Sequence, residues 1–167
     1  MKLGFALTLA AAQPADPDGI AAAAAQPPIH GGVVDLSGVW RSEYSYYSNG
    51  RGKDFSDIHY VVLRQHGASV TVESLPQSSG SELGMSLMVD GMTATGSWEE
   101  RTSPTGYYKG AVYRGALQFL VAPSGGQLTG RWLGFGKRFQ INNGDWDLKL
   151  ESRSLDRRTL KRFEAKV

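Results

Sequence analysis

Leu128-Thr129-Gly130-Arg131-Trp132 recurs in altered form at Leu36-Ser37-Gly38-Val39-Trp40, Thr95-Gly96-Ser97-Trp98 and Asn143-Gly144-Asp145-Trp146. All 4 tryptophans of the chain therefore stand two residues after a glycine. Positions i and i+2 of a β-strand face the same side, so each glycine shares a face with its indole. A missing side chain there lets the strand coil and leaves space for a ring to lie over the backbone. The spacing predicts four indoles on one surface of a sheet.

Outward from these steps the text stays β. Val39, Arg41, Glu43 and Ser45 alternate with Gly38, Trp40, Ser42, Tyr44 and Tyr46, a period of two with aromatics on one face. Asn49-Gly50 predicts a hairpin turn, because type I′ turns need positive φ at both central residues. Next, Ile58, Tyr60, Val62 and Arg64 alternate with His59, Val61, Leu63 and Gln65. Further strands are predicted at 69–75, 83–89, 92–102, 107–121, 128–135 and 139–150, the last broken by a bulge at Asn142-Asn143-Gly144. Short turns join them and no helical period intervenes. The fold class is all-β, a single antiparallel up-and-down barrel of about eight strands over residues 35–152.

Residues 153–167 read as a basic tail or short helix. Ser154 is the expected cap, Asp156 sits in the first turn, and Leu155, Leu160 and Phe163 are placed to pack on a barrel rim. Residues 1–34 are a different material, Ala-rich with Gln-Pro-Ala-Asp-Pro-Asp-Gly and Gln-Pro-Pro, and read as a low-complexity leader or linker. Residues 1–12, an apolar run after Lys2 ending in Ala10-Ala11-Ala12, fit a minimal signal peptide; the stub of a linker fits equally. Secretion and a cytoplasmic location thus stay open.

Between Ser37 and Ser152 acids and bases are equal in number, and the basic excess lies after them, so a nucleic-acid partner is not expected. The apolar run is too short to span a bilayer, and no membrane partner is expected. With 0 cysteines, disulfides, thiolate catalysis and Cys-based metal sites are excluded.

The steps at 36–40 and 128–132 resemble the Gly-x-Trp steps of the calycins: lipocalins, fatty-acid-binding proteins and avidins. The first stands where the lipocalin signature stands, at the start of the barrel, and Leu-Thr-Gly-x-Trp is similar to avidin strands. The resemblance implies a small-molecule site inside the barrel. It also implies an arginine packed on the signature tryptophan Trp40; Arg138 is the nearest candidate and Arg131 the other. The stretch 96–135 further resembles β-rich modules found after helix-turn-helix domains in some actinobacterial regulators, which implies ligand sensing.

Catalytic chemistry is sparse. His30, His59 and His66 lack ligand spacing, so no metal is expected. His59 could serve a haem barrel, but the glycine-rich signature of such barrels is absent, and no cofactor is expected. Glu99 and Glu100 are strand neighbours that point to opposite faces and cannot form a dyad. No catalytic residue is assigned. The expected ligand-binding residues are Trp40, Tyr44, Tyr46, Trp98, Trp132 and Tyr60, since tyrosine and tryptophan combine an apolar body with one polar tip. Arg41 and Arg131 are expected outside.

The leading expectation is a non-catalytic barrel that takes a small, largely apolar or aromatic ligand in its interior. The alternatives are a barrel enzyme of the allene oxide cyclase or dirigent kind, marked by a buried arginine or glutamate of shifted pKa, and a filled barrel that acts by its outer surface. An open cavity separates the first two from the third.

Overall fold

The structure, a computed structural model, describes residues 34–76, 80–136 and 139–164. Eight strands run in chain order: β1 (Gly38–Ser48), β2 (Lys53–His66), β3 (Ser69–Ser74), β4 (Glu82–Asp90), β5 (Thr93–Arg101), β6 (Val112–Val121), β7 (Gln127–Phe135) and β8 (Ile141–Ser152). Each pairs antiparallel with the next, and β1 pairs with β8 to close the barrel. One helix, α1 (Arg157–Glu164), follows. The expected leader lies outside the described residues.

Alternation decides what points inward. Trp40, Tyr44, Val61, Leu63, Trp98, Leu117, Phe119, Trp132, Trp146 and Leu148 form one buried cluster inside the barrel. At one end Trp40, Leu63, Phe119, Leu128 and Leu148 are wholly buried and fill the interior. The Trp40 indole donates to the Leu36 carbonyl at 2.9 Å, so the chain entering β1 seals this end. Arg153 adds a second tie there, donating to the main-chain carbonyls of Asp35 and, at 2.7 Å, of Gly125. Arg153 thus ties the segment that enters β1 to the turn between β6 and β7. Arg131 instead points outward to Asp145 at 3.1 Å, and Arg138 lies outside the described residues.

Three of the tryptophans also face a glycine on the neighbouring strand. Trp98 pairs with Gly115, Trp132 with Gly144 and Trp146 with Gly130. A methyl group on Gly115 would stand 2.6 Å from Trp98 Nε1, and one on Gly144 would stand 2.7 Å from Trp132 Nε1. The space for those two rings therefore comes from the neighbouring strand. Four glycines also serve strand approach: a Cβ on Gly96, Gly115, Gly130 or Gly144 would strike the main-chain carbonyl of Ser86, Leu133, Gln118 or Ser45.

Three boundaries differ from expectation. β8 runs unbroken through 142–144, because Gly144 lets it pass close to Ser45 without a bulge. Tyr107 and Tyr108 belong to the β5–β6 loop, where Lys109 (φ 50°) and Gly110 (φ 73°) turn the chain. The cap of α1 is Asp156, whose carboxylate accepts the Thr159 N–H at 2.7 Å, while the Ser154 hydroxyl binds Asp156. α1 packs on the outer wall rather than the rim: Phe163 is buried with Val39, Val62 and Leu75, flanked by Tyr60, Leu155 and Leu160.

Candidate functional site

The other end of the barrel is open and holds a cavity of about 990 Å³. Asn49, Ser81, Tyr107 and Gly136, one from each of the four loops at this end, contribute to its lining. Trp98, Trp132 and Trp146 form its floor and wall, with Trp98 edge-on to Trp132 at 5.5 Å and to Trp146 at 5.9 Å. Their N–H groups already have partners: the Leu133 carbonyl (3.2 Å), the Ser45 carbonyl (2.9 Å) and the Ser42 hydroxyl (2.7 Å). With these donors spent inside the protein, the indoles offer ring surface to the cavity.

Tyr44 and Tyr46 line the same space from β1, and Tyr113 does so from β6. Near the mouth, Arg51 donates to Tyr46 at 3.0 Å and Ser48 at 3.2 Å, and lies 3.4 Å from the centroid of the Phe55 ring. This holds the β1–β2 turn against the loop tyrosines, and Ser48 and Tyr108 share a hydrogen bond of 2.6 Å.

A polar cluster interrupts the aromatic wall. Glu100 on β5 is 8% exposed and accepts the Tyr44 hydroxyl at 2.9 Å. Ser81 gives it a second hydrogen bond. Its other carboxyl oxygen stands 3.9 Å from His59 Nε2. Burial lifts the Glu100 carboxyl from its ordinary 4.5 to about 7, against the Tyr44 and Ser81 bonds, which favour the charged form. Burial also lowers His59, leaving a neutral imidazole, with the Asp57 charge opposing. Tyr44 is held well above 10 by burial first and by the Glu100 charge second, so it stays a proton donor.

Asp57, His59 and Glu100 each bring a ligand atom within 4.8 Å of the others, a donor set suited to a divalent cation. Sequence reading missed this convergence. Asp57-x-His59 was the available signal, since residues two apart on a strand share a face. That β5 delivers Glu100 opposite them depends on barrel closure.

Of the six residues expected to bind ligand, Tyr44, Tyr46, Trp98 and Trp132 line the cavity. Trp40 does not, because it is the third residue of β1 and fills the sealed end. Tyr60 does not either: its side of β2 faces outward, and its ring lies 5.2 Å from Phe163 of α1. Trp146, Tyr113, Asp57 and Glu100 join the lining in their place. Glu99 points outward to Arg114 at 2.7 Å, opposite to Glu100, as alternation requires.

No family model matches the sequence, and no curated protein does. Among solved structures, one likeness is a single-site variant of the vaccine antigen transferrin-binding protein B from Haemophilus parasuis Hp5, at 12% identity and a TM-score of 0.34. It covers 69% of this chain and 26% of that one, so this chain spans about a quarter of that structure. A likeness of this size carries no argument about function.

Proposed function

We propose that this barrel binds a small, largely apolar or aromatic molecule in its open end. The observation that carries the reading is a cavity of about 990 Å³ walled by three indoles whose polar groups are already bonded within the protein. That volume lies within the range of small-molecule sites, and apolar walls with a few fixed polar groups are their usual make-up. The calycin-like Gly-x-Trp steps support the same reading. Titration with a panel of apolar and aromatic molecules should quench or blue-shift tryptophan emission. Flat emission across the panel contradicts the proposal.

A second reading, a barrel enzyme, is favoured by one observation: Glu100 is a buried carboxyl lifted to about 7, bonded to Tyr44 and open to the cavity. Such a group can lend or take a proton near neutral pH. Turnover of a bound molecule that disappears in Glu100→Gln while binding persists would support it; a ligand recovered unchanged after long incubation would reject it.

A further inference from the structure

The cavity's charged groups are distributed unevenly. Among the described lining residues, the carboxylates are Asp57 and Glu100 and the one cationic side chain is Arg51. Arg51 is committed elsewhere: its guanidinium serves Ser48 and Tyr46 and lies over the Phe55 ring. Among the described residues no lysine or arginine pairs with either Asp57 or Glu100. Among the described residues, Glu100 meets the neutral donors Tyr44 and Ser81, with His59 Nε2 3.9 Å from its other oxygen. Asp57 accepts the Ile58 N–H at 2.8 Å.

A carboxylate taken out of water without a cation is costly, and a bound counter-charge removes that cost. The walls beside these carboxylates are indole ring surface, because the indole N–H groups are spent on the protein. Ring faces attract cations through the quadrupole, more strongly once water is excluded. Carboxylates and indole faces therefore select the same sign of ligand charge.

We propose that the ligand is an organic amine: one ammonium group directed to Glu100 and Asp57, on an aromatic or apolar body seated against Trp98, Trp132 and Trp146. This rests on the binding function proposed above and names its ligand class.

The test is calorimetry with three molecules of one shape and different charge: phenethylamine, 2-phenylethanol and phenylacetate. The expected order is amine above alcohol above acid, with the amine at least 10-fold tighter than the alcohol. In Glu100→Gln, which keeps the shape and the Tyr44 contact, the amine should lose about 10-fold and the alcohol should be unchanged. Asp57→Asn guards against a folding defect in the first variant and should also weaken the amine selectively. An alcohol or acid that binds as tightly as the amine overturns the amine assignment and leaves the binding function standing. If none of the three binds at millimolar concentration, both proposals fall. Zinc alone saturating the Asp57, His59 and Glu100 cluster, with the amine unable to compete, would reassign the carboxylates to a metal and overturn the amine reading.

Discussion

Tyr44 on β1 donates its hydroxyl to Glu100 on β5 at 2.9 Å, joining two strands that are not neighbours in the sheet. The bond crosses the barrel and fixes the carboxyl at the boundary between the packed interior and the open cavity. Both groups are buried, and the bond satisfies the Tyr44 hydroxyl while Glu100 also accepts from Ser81.

Tyr44→Phe removes that donor and keeps the ring. Because the hydrogen bond favours the ionised carboxylate, its loss should move the Glu100 carboxyl above about 7. Stability should fall by about 1–3 kcal/mol through the acceptor left unpaired. Carboxyl carbon NMR across a pH titration reads the first effect; a Glu100 midpoint at or below that of the unmodified protein refutes it.

Glu100 also sets a pH dependence of stability. Its pKa is raised on folding, so between 4.5 and about 7 the folded state holds more protons than the unfolded chain. Stability from this group is complete below 4.5 and is lost as pH rises through about 7, a change on the order of 3 kcal/mol. His59 acts in the opposite sense: its lowered pKa makes the folded state hold fewer protons, a deficit removed as pH rises through the ordinary histidine value of 6.5. Comparing the protein with Glu100→Gln isolates the carboxyl. Urea unfolding should find the variant the more stable at pH 8, with its advantage gone by pH 4; equal pH slopes in both proteins would contradict this.

Gly115→Ala tests the cross-strand seating of the indoles. The added methyl would meet Trp98 Nε1 at 2.6 Å and the Leu133 main-chain carbonyl, so it should cost about 1–3 kcal/mol or more. Gly84→Ala on β4 is the control, since its methyl would meet nothing nearer than the Val72 carbonyl at 3.8 Å. Equal melting temperatures for the two variants would show that Trp98 is not held by Gly115.

Phe163→Ala should separate stability from binding. Phe163 is 1% exposed on the outer wall, so its truncation should cost about 3–5 kcal/mol and loosen α1. The cavity lies inside and at the far end, so aromatic ligands should bind the folded variant as before. A matching loss of affinity would place α1 in the site.

The period of two made much of this fold legible. It placed Glu99 and Glu100 on opposite faces, Trp98 and Trp132 inside and Arg131 outside. It failed at Tyr60 because both faces of β2 are apolar there: Val61 and Leu63 line the interior, while Tyr60 and Val62 meet α1. It misjudged Trp40 because the motif gives facing and not depth. Trp40 is the third residue of β1 at the sealed end, whereas Trp98 and Trp132 are each sixth in strands that run toward the mouth. The meeting of Asp57, His59 and Glu100 was hidden for a different reason. It depends on the curvature that closes β1 onto β8 and brings β5 opposite β2, and no local pattern records closure.

The most direct test of an interior binding site uses the four indole N–H signals of a ¹⁵N-labelled sample, titrated with phenethylamine. The signals of Trp98, Trp132 and Trp146, assigned by single Trp→Phe variants, should shift together and saturate, while that of Trp40 stays in place. Signals that do not move, or a shift confined to Trp40, would contradict a ligand cavity at the open end of this barrel.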